Sequence, residues 1–206
     1  MIDRAAPERH DRAVGGAVIL VTGVMAAGKS TVAQLLAERF DRSVHVRGDV
    51  FRRFVVSGAV EPSPEMPPEA YAQLLLRYRI ATAAADAYAD AGFTAVVQDV
   101  VVGPVLADVV AMIRTRPRYV VVLDPDPAVV AEREAARPKT GYGPAWRPED
   151  FVADLRSATP RIGLWLDTSD QDPSTTAAVV HGRLAEALVD DTVAPGDTSP
   201  NAATAS

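Results

Sequence analysis

The sequence predicts an α/β fold, a parallel sheet flanked by helices, and three observations predict it. Short apolar β-branched runs alternate with longer segments whose apolar residues recur at helical spacing along most of the 206 residues. The first such run, Ala17 to Val21, feeds directly into a glycine-rich loop and a helix. Polar or acidic residues close the strands: Asp49, Asp99, Asp124 and Asp167 each follow one. In an open parallel sheet, ligands bind beyond the carboxyl ends of the strands, so these are the positions to examine.

The glycine-rich loop is Gly23-Val24-Met25-Ala26-Ala27-Gly28-Lys29-Ser30-Thr31, which reads G-x-x-x-x-G-K-S, the Walker A pattern. Strand, loop and helix occur in the order the motif requires. The glycines let backbone N–H groups turn inward around a phosphate, and the helix adds its positive end. Lys29, expected exposed on the loop, can reach the β- and γ-phosphates, and the Ser30 hydroxyl can ligate Mg²⁺. Gly23, Ala26, Ala27, Gly28, Lys29, Ser30 and Thr31 are therefore the candidate residues for binding a nucleoside triphosphate with Mg²⁺.

The remaining elements follow in order. Helical spacing of Val32, Leu35, Leu36 and Phe40 predicts a helix over Ser30 to Phe40. A second strand at Ser43 to Val46 ends at Arg47-Gly48-Asp49, and Phe51 to Val56 suits a short helix. Ser57 to Pro68 carries four prolines and is read as an irregular loop. Glu69 to Ala91 is a long helix stopped by Gly92, with Tyr71, Leu74, Leu75, Tyr78, Ala81, Ala85 and Tyr88 on one face as core. Phe93 to Val97 is a third strand, and Gly103-Pro104 opens a helix to about Arg116. Tyr119 to Leu123 is a fourth strand, after which Asp126-Pro127 caps a helix to about Ala136. Glu149 to Ala158 is helical, Gly163 to Leu166 is a fifth strand, and Asp172-Pro173 caps a last helix through about Leu188. The domain organisation expected is a flexible leader (1–16), one domain (17–189) with a glycine- and proline-rich lid at about 137–148, and a polar, disordered tail (190–206).

Composition excludes several classes. The formal net charge of −6 and the sparse basic patches argue against nucleic acid as a partner. No apolar run approaches 18 residues, so no membrane span is expected. The absence of cysteine removes thiolate metal sites, disulfides and a cysteine nucleophile, and suits the cytoplasm. The only asparagine is Asn201, so the guanine-reading N-K-x-D motif of a GTPase switch is missing. His10, His45 and His181 show no pairing pattern.

Among the strand-end acids, Asp99 closes an apolar strand in a Walker B-like arrangement and is the candidate Mg²⁺ ligand beside Ser30. Asp124 rivals it, although Asp124-Pro125-Asp126-Pro127 also explains it as a turn. Asp49 can accept the proton of an attacking hydroxyl, or cap the helix that follows. Arg133 and Arg137 are four apart and share a helix face; with Lys139 they are candidate cations for the transferring phosphoryl group. Arg52 and Arg53 are weaker candidates for substrate contacts.

Taken together, Gly23 to Ser30, Gly48-Asp49, Gln98-Asp99-Val100 with Gly103, the run Ala131 to Arg137, and Leu166-Asp167-Thr168-Ser169 resemble the chloramphenicol phosphotransferase-like group of small P-loop kinases. That group is related to adenylylsulfate, gluconate and shikimate kinases, and tunicamycin-resistance-type proteins have a similar layout. The resemblance implies a P-loop NTPase fold with a five-stranded parallel sheet in the order 2-3-1-4-5 and a small lid. It implies an ATP- and Mg²⁺-dependent transferase that phosphorylates a hydroxyl of a small molecule, an antibiotic or a metabolite, acting as a monomer or homodimer. By the same resemblance Asp49 is the base, Lys29 and Ser30 serve the phosphates and Mg²⁺, Arg133 and Arg137 are lid cations, and Asp167 and Thr168 lie near the adenine. A nucleotide-dependent switch and an end-healing nucleic-acid kinase are the readings from other classes.

Overall fold

The computed structural model describes residues 16–63, 66–136 and 147–190. Nearly all of the expected leader, lid and tail lie outside these residues. Five strands form one parallel sheet: β1 (Val18–Gly23), β2 (Ser43–Arg47), β3 (Thr94–Gln98), β4 (Arg118–Leu123) and β5 (Leu164–Leu166), in the order β2-β3-β1-β4-β5. All pairings are parallel, with Val21 and Arg47 both level with Gln98, and Gly23 level with Leu123, itself level with Leu166. This register brings the carboxyl ends of the strands to one edge.

Strands β1, β3 and β4 are buried along their whole length. A parallel sheet covered by helices on both faces needs continuous apolar strands, which Val-Ile-Leu-Val and Val-Val-Val-Leu supply. The covering helices are α1 (Lys29–Ala37), α2 (Gly48–Arg52), α3 (Pro68–Asp90), α4 (Val105–Met112), α5 (Pro127–Ala135), α6 (Pro148–Ala158) and α7 (Pro173–Gly182), with a 3-10 turn at Leu184–Ala187.

Several boundaries differ from the sequence-based reading, and the first helix, expected over Ser30 to Phe40, runs Lys29–Ala37. The helix expected at Phe51 to Val56 begins at Gly48 instead, so Asp49 lies in its first turn and β2 ends at Arg47. Helix α4 stops at Met112, short of Arg116, because the buried carboxylate of Asp86 on α3 accepts the N–H groups of Arg114 and Thr115 and pulls the chain out of the helix. The last helix breaks at Gly182 into the 3-10 turn. Tyr88, expected in the core, is 47% exposed, while Thr82 and Asp86 are buried on α3. The caps also divide: Asp172 accepts from Ser174 N–H and Thr175 N–H, whereas Asp126 makes no capping bond and turns to Arg156 at 3.4 Å.

Asp86 is the polar anchor of this half of the core. Its carboxylate also accepts from the Thr115 hydroxyl at 2.7 Å and pairs with Arg114 at 3.3 Å. Removing it strands two backbone donors near the foot of β4. Asp86→Ala should therefore destabilise the domain by about 3 kcal/mol, read as a loss in the free energy of urea unfolding. A loss under about 1 kcal/mol would show that water replaces the carboxylate.

Candidate active site

The phosphate loop is built as the motif requires. Gly28 caps α1 with φ of +93°, a conformation that favours glycine, and a Cβ there would meet nothing within 4 Å. The space beside Gly28 at the start of the helix is thus open. Lys29 is not exposed as expected: it retains 7% of its surface, and its Nζ donates to the Val24 carbonyl at 2.6 Å. The ammonium thus folds back onto the loop.

Beside the loop a polar line crosses from α1 to α2. The Ser30 hydroxyl donates to Gln98 Oε1 at 3.3 Å, and Gln98 Nε2 donates to Asp49 Oδ1 at 3.4 Å. Asp49 is half-exposed at 41% and pairs with Arg53 at 3.0 Å and Arg47 at 3.7 Å. Its carboxylate therefore faces solvent on the same side as the loop and stays hydrated.

Asp99 has the opposite environment. Its Oδ1 accepts from Arg77 Nη2 at 2.8 Å and from the Val100 N–H at 2.7 Å. Its Oδ2 is buried without a hydrogen-bond partner. Burial pushes the carboxyl above the usual carboxylate range; Arg77, the Val100 N–H and Lys29 oppose that rise. Asp99 also dictates the residue at the β2–α2 junction, because a Cβ at position 48 would lie 2.1 Å from Asp99 Oδ2. Gly48→Ala must push either the turn that carries Asp49 or the Asp99 carboxylate aside. Overpacking of this kind costs about 1–3 kcal/mol, or roughly 3–10 °C in a domain of this size. Thermal melting checks this, and a midpoint within about 1 °C of the parent would show that the junction yields freely.

The other predicted residues separate into two places. Asp124 is joined to Arg156 of α6 by a bond of 2.8 Å from Nε, an ion pair that ties the end of β4 to the neighbouring helix. Asp167 accepts from Ser169 N–H at 2.9 Å and from its hydroxyl, which holds the carboxyl below its ordinary range. Arg133 donates to the Thr168 carbonyl at 2.8 Å and the Gln171 carbonyl at 3.4 Å. Its guanidinium thus braces the 168–171 turn where the resemblance places the adenine. Arg137 and Lys139 lie outside the described residues.

Two residues near the site have no role in the sequence reading, although Gln98 belongs to the matched run Gln98-Asp99-Val100. Gln98 carries a signal, since it is a polar residue closing an otherwise apolar strand and is 3% exposed. Arg77 carries only a faint one, a cation beside Tyr78 in the half-buried run of α3. Tyr78 itself donates its hydroxyl to the Val100 carbonyl at 2.6 Å, fixing α3 against the chain that follows Asp99.

Among solved structures the fold is similar to a sugar kinase from Janibacter sp. HTCC2649, with a TM-score of 0.62 and 20% identity over 83% of this chain and 95% of that one. It is similar to the tunicamycin resistance protein of Deinococcus radiodurans, with a TM-score of 0.60 and 14% identity over 87% and 99%. It is also similar to the APS kinase CysC of Mycobacterium tuberculosis, solved with AMPPNP and APS, with a TM-score of 0.55 and 19% identity over 83% and 98%. A curated relative, a UPF0200 protein of Aeropyrum pernix, is 44% identical over 48 residues, which span 23% of this chain and only 26% of that protein. The family described as "AAA domain" matches residues 18–161, well over half of the chain, and the protein, with its P-loop kinase-like fold, belongs to that family.

Proposed function

We propose that the protein is an ATP- and Mg²⁺-dependent phosphotransferase whose acceptor is a hydroxyl of a small molecule. The observation that carries this reading is the polar line from Ser30 through Gln98 to Asp49, which sets a hydrated carboxylate beside a formed phosphate loop. A switch orients a water molecule at the γ-phosphate; a kinase places a carboxylate to receive the proton of an acceptor hydroxyl.

The residues fit the cofactors. The open turn at Gly28, with backbone N–H groups at the start of α1, suits a triphosphate. Ser30 and the carboxylate of Asp99 are the oxygen donors we assign to the cation, a hard-ligand set suited to Mg²⁺; Asp99 Oδ2, buried against Gly48, would have to turn toward the loop to serve it. Among the described residues no group of three or more carboxylates, histidines or cysteines is placed to hold a metal; phosphate and water oxygens would supply the other ligands of a bound Mg²⁺. When bound, Mg²⁺ would offset charge on the phosphates during transfer.

The chain's own residues do the rest. Lys29, once freed from the Val24 carbonyl, would offset charge on the phosphates. Asp49 orients the acceptor hydroxyl and takes its proton. Arg133 steadies the 168–171 turn for the nucleotide, and Arg137 and Lys139 are the further cations we assign to the transferring group. Asp99→Asn keeps the shape but not the charge; it should weaken the Mg²⁺ dependence of ATP binding more than ATP binding itself. A calorimetric Mg²⁺ titration checks this, and an unchanged titration would move the metal role away from Asp99.

The acceptor is found by incubating the protein with ATP, Mg²⁺ and a panel of antibiotics, sugars and nucleosides, then reading the mass gain of about 80 Da that one phosphoryl group adds. Acceptor-independent ATP turnover with no such product would favour a switch.

A further inference from the structure

We infer that Gln98 is a positioning residue that sets the direction of the Ser30 hydroxyl proton, and so makes Ser30 a competent ligand for the cation. The inference rests on the phosphotransferase reading above. It starts from a chemical asymmetry: an amide side chain has a donor end and an acceptor end, and its neighbours decide which way it points. Here one neighbour is the carboxylate of Asp49, which accepts only. The NH₂ end must face it, and it does, at 3.4 Å. The carbonyl end is thereby committed to Ser30, at 3.3 Å.

The consequence lies on Ser30. A hydroxyl can rotate its proton to suit its surroundings. With an acceptor fixed on the sheet side, the proton turns inward and the lone pairs turn toward the open face of the loop. Lone pairs are what a hard cation takes. A serine with no such acceptor would spend part of its time aiming its proton at the metal position.

The position is also held rigidly. Gln98 is 3% exposed and sits at the end of β3, level with Val21 of β1 and Arg47 of β2. A buried side chain on a strand that is paired on both edges has little rotational freedom to lose when the nucleotide arrives. A carboxylate at this position would still accept from Ser30 but would meet Asp49 as a like charge. The neutral amide serves both neighbours at once.

The test is the ratio of ATP affinity with saturating Mg²⁺ to that in EDTA, measured by calorimetry on the full chain. Gln98→Leu keeps the volume and removes both bonds; it should lower the ratio about fivefold, the usual size of one lost hydrogen bond. Gln98→Glu keeps the acceptor facing Ser30 and adds a charge of the sign a cation favours, so its ratio should not fall below that of the parent. Ser30→Ala should lower the ratio too, and the Ser30→Ala, Gln98→Leu double variant should fall no further than Ser30→Ala alone, because the two act as one unit. Should Gln98→Leu fail to fold by its thermal melt, Gln98→Asn, one methylene too short to span both neighbours, carries the same expectation. A folded Gln98→Leu or Gln98→Asn with an unchanged ratio, or additive losses in the double variant, would overturn the inference and leave the phosphotransferase reading standing. Absence of ATP binding by the parent protein would overturn both.

Discussion

Asp49→Asn should cut phosphoryl transfer about 10²–10⁴-fold, the usual worth of a general base. The substitution preserves the outline of the side chain. It also leaves stability nearly intact, because the pairs of Asp49 with Arg47 and Arg53 are between exposed groups and contribute little. ATP affinity should stay within about threefold of the parent, so that the loss falls on turnover. The measurement is steady-state transfer to the acceptor found by the mass screen, with ATP affinity read by calorimetry. Loss of ATP binding would assign Asp49 to the loop or the metal. Untouched transfer would mean that the hydroxyl is activated by another group.

Lys29→Ala should reduce transfer more than about 10²-fold, as expected for a cation lost from a charge-developing site. The structural cost is separable. The variant loses the bond from Nζ to the Val24 carbonyl and the packing of a stem in a residue that is only 7% exposed. One net hydrogen bond contributes about 1 kcal/mol, or roughly 2–4 °C in the melt. A folded variant with a slightly lower midpoint and almost no transfer is the expected result. Retention of more than about a tenth of parent turnover, a barrier change under about 1.4 kcal/mol, would remove Lys29 from the chemistry.

Much of the architecture is legible in the residues alone. The strand, loop and helix from Val18 to Ala37 predict their own conformation, because an apolar strand, positive-φ glycines and helical spacing are local properties. The long helix ending before Gly92 is legible for the same reason, and the five-stranded order follows from the resemblance. Boundaries are less legible where a distant group decides them. The early end of α4 depends on Asp86, which is 28 residues before Arg114 in sequence.

What the sequence by itself determined is the phosphate loop and the alternation that makes a parallel sheet, since both are written in residue types at fixed spacing. What only the tertiary structure decided is which strand-end residues meet. Asp49, Asp99, Asp124 and Asp167 look equivalent along the chain, each an acid after a strand. In space Asp49 joins Ser30 through Gln98, Asp99 is buried on Arg77, Asp124 is held by Arg156, and Asp167 closes a turn on Ser169. The physical reason is that a carboxylate's role is set by its charge partners and its hydration. Those are supplied by residues up to 49 positions away in sequence, such as Gln98 for Asp49, which only the parallel register of β2 with β3 and β3 with β1 brings together.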